Sequence, residues 1–298
     1  MYSLPNIVKI VEVGPRDGLQ NEKNEVPTAV KLDLIDKLQK SGIDEMEITS
    51  FVSPKWVPQM KDSKEIVANV KKKGRQFVLT PNKKGVELAQ ESGATSFAVF
   101  VGVSNSFNKK NINKTTDESM QELKPIIEKL LEEGHFVRAC ISTAFYCPYE
   151  GKIDPLQTIN LCKKFISWGV NELSVADTIG MANPVESYDL FKSLKKEFPQ
   201  TLITAHFHDT RKMALANIFA ALQAGVDRFD SSAGGLGGCP FAPGATGNVA
   251  TEDVVNMLHQ MDITTNINLD LLLEAIDTIA PFTSRPIETG MYKLYKNK

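Results

Sequence analysis

The sequence predicts an α/β fold: a (β/α)8 TIM barrel with an additional C-terminal helix. Three observations lead there. Short β-branched runs alternate with longer helical stretches about eight times along the chain. No composition shift or linker interrupts that alternation, so residues 1–298 read as a single domain. Polar, chemically able residues also gather at the ends of the strand-like runs, where a barrel opens its working face.

The predicted strands are 7–13, 45–49, 76–79, 96–101, 136–142, 172–176, 202–206 and 226–230. Between them lie helices with start and stop signals. Thr28 precedes a run through Leu32, Ile35 and Leu38 that stops near Gly42. Thr116, with acidic neighbours, opens a long helix ending near Gly134. Pro184 opens another, closed by Pro199, and Asp209 or Thr210 caps the run that stops at Gly225. Residues 269–279 form an extra helix beyond the eighth unit, a cap or an oligomer contact. An open doubly wound sheet is the runner-up. It is weakened because no Gly-x-Gly-x-x-Gly follows the first strand.

Composition narrows the partners. Lys and Arg number 34 against 36 Asp and Glu, a net charge of -2, so no basic field attracts nucleic acid or anionic lipid. No apolar run approaches the roughly 18–20 residues of a membrane span. The N-terminal residues carry neither the basic region nor the cleavage site of a signal peptide, and the expected location is cytoplasmic. The four cysteines, Cys140, Cys147, Cys162 and Cys239, are widely spread with no Cys-x-x-Cys pair. Reduced thiols are therefore the simpler reading.

His206 and His208 stand two apart at the end of the seventh strand. Strand side chains at i and i+2 share a face, so the two imidazoles form a chelate. Pairing with a nearby carboxylate such as Asp209 is the bland alternative. Asp17, after the first strand, offers a hard oxygen, although by itself it reads as a salt-bridge partner of Arg16. Asn248 offers an amide oxygen. Nitrogen and oxygen donors without thiolate suit Mg2+ or Mn2+ better than tetrahedral zinc. Residues 234–247 are too glycine-rich for a helix or an ordinary strand, and they read as a ligand cradle or a lid. Cys239 lies inside this segment, where a thiol could serve as a general acid or base. The other three cysteines are expected to be structural. Lys109 and Lys110, after the fourth strand, are either a phosphate contact or surface charge. Arg211 and Lys212 read as solvated charges in the first turn of a helix.

Four segments together carry a resemblance to a known family: Val13-Gly14-Pro15-Arg16-Asp17-Gly18-Leu19-Gln20-Asn21-Glu22, residues 49–60 (Thr-Ser-Phe-Val-Ser-Pro-Lys-Trp-Val-Pro-Gln-Met), Cys147-Pro148-Tyr149-Glu150-Gly151, and Gly235-Leu236-Gly237-Gly238-Cys239-Pro240. In order and over nearly the whole chain, they resemble the 3-hydroxy-3-methylglutaryl-CoA lyase family of metal-dependent barrel lyases. The resemblance implies cleavage of 3-hydroxy-3-methylglutaryl-CoA to acetyl-CoA and acetoacetate, as in leucine breakdown and ketone-body-type metabolism. It implies that Asp17, His206, His208 and Asn248 hold a divalent cation. Arg16 would stabilise the enolate oxygen, with Gln20 as a contact beside it, and Cys239 would take part in proton transfer. Glu47 and Asp177 match acidic positions near the metal, and the base is either a carboxylate such as Asp177 or a metal-bound water. A homodimer is the expected assembly. Two departures sit near the barrel mouth: Arg211-Lys212-Met213 where many relatives have Tyr-Gly-Gln, and Ala233-Gly234 where others have Val-Ala. The competing readings are an acyl-CoA condensing synthase or lyase of the same wider group, and a non-catalytic binding protein on an inherited barrel.

Overall fold

A computed structural model describes residues 4–238 and 247–297. Eight strands form a closed parallel ring in which each pairs with its neighbour in sequence and the first meets the last. They are β1 (Lys9–Glu12), β2 (Glu45–Ser50), β3 (Arg75–Leu79), β4 (Ser96–Gly102), β5 (Phe136–Ser142), β6 (Glu172–Asp177), β7 (Leu202–Phe207) and β8 (Arg228–Ser231). Each matches its predicted run to within two residues at either end. The seam is parallel, with Lys9 beside Arg228 and Glu12 beside Ser231. The next pair in the ring sets Asp230 directly beside His206.

Alternation along the strands sorts two environments. One face of β6 and β7 carries Leu173, Val175, Ile203, Ala205 and Phe207, all buried in the apolar layer. Phe207 packs there against Phe191 and Phe145. That layer receives the helices, α1 (Thr28–Lys40), α2 (Ser63–Asn69), α3 (Lys83–Glu91), α4 (Asn105–Ile112), α5 (Thr116–Glu132), α6 (Pro155–Ser167), α7 (Pro184–Glu197), α8 (Ala214–Gln223) and α9 (Thr251–Gln260). The opposite face is charged. Arg228 bridges Glu45 (2.5 Å) and Glu172 (3.1 Å), Arg138 pairs with Glu172 (3.4 Å) and with Asp230, and Arg75 reaches Glu45 at 3.0 Å. The barrel interior thus carries an ion-pair ladder, with Phe77 and Phe136 packed beneath the guanidinium groups of Arg138 and Arg75.

The helix starts follow their caps, with two adjustments. The long helix is capped by Thr115, not Thr116, in a reciprocal box with Glu118. Asn183 caps α7 in the same way with Glu186, and Pro184 follows at the first helical position. Asp209 does not cap α8 by side chain at the N-cap position; its carboxylate accepts from the Ala214 N–H at 3.1 Å. After the eighth unit comes α10 (Leu269–Ile279), as expected, and then a further helix, α11 (Gly290–Lys296), that was not. The α10 helix lies on α1, where Lys37 donates to Thr278 at 2.8 Å. Among the described residues, no helix is long and apolar enough to cross a membrane.

Candidate metal centre and active site

The chain leaves β1 through a single wide turn. The Val13 carbonyl accepts from the N–H groups of Arg16 (3.2 Å), Asp17 (2.7 Å) and Gly18 (3.1 Å). Turns of this kind tend to occur at functional sites. Here it brings Arg16 and Asp17 to the barrel mouth side by side. Arg16 donates to Glu47 through Nε (2.5 Å), to Asp17 Oδ1 (2.7 Å) and more distantly to Gln20 Oε1 (3.4 Å). Burial opposes its charge, but Glu47 and Asp17 outweigh that and push its pKa up, so the guanidinium stays cationic. Burial likewise opposes ionisation of Asp17, yet Arg16 and the histidines bring its pKa down to about 2.

At the end of β7, His206 and His208 share the inward face, their rings 5.2 Å apart. One ligand atom each from Asp17, His206 and His208 lie within 4.8 Å of one another. Asn248 joins them because residues 247–249 run back along the end of β7. Asp209 N–H meets the Gly247 carbonyl (2.8 Å) and Val249 N–H meets the Phe207 carbonyl (3.1 Å). Asn248 then donates Nδ2 to Asp17 (2.8 Å) and to the Leu236 carbonyl (3.2 Å). The neck of the glycine-rich segment permits this close approach. A Cβ on Gly247 (φ +88°) would stand 2.5 Å from the Gly237 carbonyl carbon, and one on Gly237 (φ +126°) 2.8 Å from Asn248 Nδ2.

Among the described residues, two buried atoms of this group have no hydrogen-bond partner, Asn248 Oδ1 and His208 Nδ1. A buried polar atom left unmet costs about 1–3 kcal/mol, which a bound cation would offset at Asn248. Two imidazoles, a carboxylate and an amide oxygen fit a divalent ion of the Mg2+ or Mn2+ kind. Burial and the neighbouring His206 push the pKa of His208 down to about 4, so it is neutral, as a ligand must be. Burial also lowers that of His206, but its bond to Asp230 and that residue's charge raise it on balance.

These residues close one end of a cavity of about 760 Å3. Arg16, Asp17, Gln20, Glu47, His206 and His208 all line it, and it extends past Trp56 to Lys110 and Lys114. Lys109 does not line it. Of the expected structural thiols, Cys147 and Cys162 are buried away from it, whereas Cys140 faces it. Burial pushes the pKa of the Cys140 thiol up and so favours its protonated form. Arg211 and Lys212 are exposed, as expected, but stand before α8 and not in its first turn; Arg211 also donates to the Ile179 and Gly180 carbonyls at 3.2 and 3.1 Å. Cys239 lies outside the described residues.

Asp177 requires a correction. Ala176 and Thr178 line the cavity and Asp177 does not, because β6 runs one residue further than predicted and alternation sends this side chain to the other face. Its carboxylate accepts from the Met181 and Ala182 N–H groups, both at 3.0 Å, and holds the turn before α7. Burial raises its pKa to about 6 against those bonds. Asp230, in contrast, was not singled out from the sequence, yet it faces the cavity and bonds His206 Nδ1 at 3.1 Å. The signal available was its place beside His206 at the end of the next strand. The expected partner, Asp209, is not that carboxylate.

Residues 7–279 match the HMGL-like family model. The chain belongs to the HMGL-like family. It is 50% identical over 275 residues to the mitochondrial hydroxymethylglutaryl-CoA lyase of Bos taurus, covering 92% of this chain and 85% of that one. It is 44% identical to hydroxymethylglutaryl-CoA lyase YngG of Bacillus subtilis, covering 98% and 99%. A crystal structure of the Bacillus subtilis lyase superposes with a TM-score of 0.95 over 98% of this chain and 99% of that one, at 44% identity. An HMG-CoA lyase from Acinetobacter baumannii, solved with coenzyme A and 3-methylmalate, gives 0.92 at 36% identity over 98% and 96%. As a member of the HMGL-like family the chain has a (β/α)8 TIM barrel shared with carbon–carbon lyases.

Proposed function

We propose that this protein is a carbon–carbon lyase that cleaves 3-hydroxy-3-methylglutaryl-CoA to acetyl-CoA and acetoacetate. The observation that carries the reading is one cavity lined by a cationic arginine, by Asp17, His206 and His208 with Asn248 bonded to Asp17, and by Lys110 and Lys114. Relatives of nearly the same length, named as lyases of this substrate, support it.

Cleaving the C2–C3 bond requires loss of the tertiary hydroxyl proton, formation of the acetoacetate carbonyl at C3 and acceptance of the electron pair at C2 as an enolate. Asp17, His206, His208 and Asn248 hold the divalent cation, Mg2+ or Mn2+ by donor chemistry. When bound, that ion supplies Lewis acidity to the substrate's hydroxyl. Arg16, locked by Glu47 and Asp17, presents fixed positive charge to the thioester oxygen, where the enolate charge develops. Gln20 steadies the same guanidinium. A base must reach the proton it removes, and Asp177 does not line the cavity. Among the carboxylates facing the cavity, Asp230 is saturated by Arg138, Ser174 and His206, and Asp17 belongs to the metal set. Of the remaining two, Glu122 pairs with Lys114, and we assign the hydroxyl proton to Glu47, which lines the cavity beside Arg16. Cys239 returns a proton to C2 of the enolate. Lys110 and Lys114 face the phosphates of CoA at the outer end of the cavity. A homodimer working in the cytoplasm belongs to the same proposal.

The test is a coupled assay for acetoacetate released from 3-hydroxy-3-methylglutaryl-CoA, with and without a chelator. Release that stops on chelation and returns with Mn2+ supports the reading. Full activity after complete chelation overturns the metal part. No acetoacetate, with free CoA released from acetyl-CoA and a 2-oxo acid, overturns the lyase reading in favour of a condensing synthase.

A further inference from the structure

Beneath the metal donors lies a carboxylate that the reaction itself does not use. Asp230 is 3% exposed and receives four hydrogen bonds. Arg138 Nη2 donates to both of its oxygens, at 2.5 Å to Oδ2. Ser174 Oγ donates to Oδ2 at 2.8 Å, and His206 Nδ1 lies 3.1 Å from the same oxygen. An ionised carboxylate can only accept, so the proton between His206 and Asp230 sits on Nδ1. The ring's other nitrogen, Nε2, is then the one with a lone pair. The companion ligand, His208, has no such partner on Nδ1. The two histidines of the metal pair are thus held unequally.

We infer that Asp230, itself fixed by Arg138, is the positioning residue that sets the His206 tautomer and ring orientation for the metal. The inference rests on the proposed metal reading of the site. Carboxylates behind ligating histidines typically change metal affinity about 10–100-fold when removed. Arg138 has a defined part in this. It is fully buried, and its charge-assisted bonds to Asp230 are stronger than those of a neutral donor. In Asp230→Asn the guanidinium would claim the single carbonyl oxygen and turn the amide NH2 towards His206. Nδ1 would become an acceptor, and the proton would move to Nε2, the nitrogen the metal needs. In Arg138→Met/Asp230→Asn no guanidinium competes, the amide oxygen can turn back to His206, and the Nδ1–H form returns.

Calorimetric titration of the metal-free full chain with Mn2+ tests this. Asp230→Asn is expected to weaken binding about 10–100-fold, and the double variant to bind at least fivefold more tightly than Asp230→Asn. Affinity of Asp230→Asn within twofold of the parent, or a double variant no tighter than the single, overturns the inference. A second measurement needs no folded variant at position 230. Histidine ring 15N shifts of the metal-free parent at pH 8.5, assigned with His206→Asn, should read Nδ1–H for His206. An Nε2–H reading overturns the inference whatever the variants do. If the parent binds no Mn2+ but shows Nδ1–H, the metal reading of the site fails and the Asp230 clamp stands.

Discussion

Replacing Arg228 with methionine separates the two ends of the barrel interior. Arg228 opens β8, at the end of the strand opposite the metal donors. Its guanidinium holds Glu45 at 2.5 Å, Glu172 at 3.1 Å and Thr204 at 3.3 Å. Methionine fills much of the volume but leaves two buried carboxylates short of a cation. Breaking a buried pair by removing one partner costs about 3–5 kcal/mol. The lower figure applies here, because Glu45 keeps Arg75 at 3.0 Å and Glu172 keeps Arg138 and Thr204. For a chain of this size, about 3 kcal/mol lowers Tm by roughly 6–10 °C. Among the described residues, the side-chain hydrogen bonds of Arg228 go to Thr204, Glu45 and Glu172 and not to the mouth, so kcat at 25 °C should stay within about threefold, or roughly 0.7 kcal/mol of barrier. Differential scanning calorimetry and steady-state assays on the same preparation measure both. A Tm change below 2 °C would show that the interior ladder adds no net stability. A tenfold loss of kcat in fully folded protein would refute the division between a stabilising end and a chemical end.

Three further outcomes follow from the same geometry. Glu12 accepts from Gly14, Ala233 and Thr251, and burial raises its pKa to about 7, so the folded state binds its proton more tightly than the unfolded one. Its contribution to stability is complete below about pH 4.5 and declines as pH rises through 7; urea unfolding at pH 5 and pH 8 should show a smaller pH dependence in Glu12→Gln, and an unchanged one rules this out. Lys110→Met should raise KM for the acyl-CoA about five- to tenfold with kcat nearly constant, and the gap should shrink in high salt; an equal loss in kcat would remove Lys110 from phosphate binding. Cys239→Ser should lower turnover by at least a hundredfold with Mn2+ binding intact by calorimetry, and near-normal turnover would exclude the thiol from the proton transfer.

All eight strands were legible because each is a short β-branched run bounded by turn residues, and parallel strands buried on both sides have little else to be. The grouping of Asp17, His206 and His208 was legible for a related reason. Asp17, His206 and His208 each lie at a strand end or just beyond, and a closed ring brings such ends together, whereas Asn248 reaches them because residues 247–249 return along β7. What sequence misjudged was facing. One residue of strand length decides whether Asp177 looks into the cavity or towards α7, and periodicity does not resolve one residue. Asp230 was missed because its meaning depends on register with β7, a property of two strands and not of either. The same holds for the interior ladder. Arg138, Glu172, Arg228 and Glu45 come from four strands, and each alone reads as an ordinary charge. Cys140 illustrates the remaining case, a residue on a predicted strand whose side of the wall only the closed barrel reveals.

The seam between β1 and β8 has a consequence for how the molecule comes to exist. The ring cannot close until residues 228–231 have been synthesised, so β1 waits as an unpaired edge for most of translation. Contacts this distant in sequence form slowly. The residues proposed to hold the ion straddle that seam: Asp17 follows β1, His206 and His208 stand at the end of β7, and Asn248 comes after β8. A cation taken up there would rivet the first part of the chain to the last. At a hundred times its Kd it would add about 2.7 kcal/mol to the closed form. The ion proposed for the chemistry would then also serve as the latch of the finished barrel, and metal-starved cells would accumulate less folded protein as well as less activity.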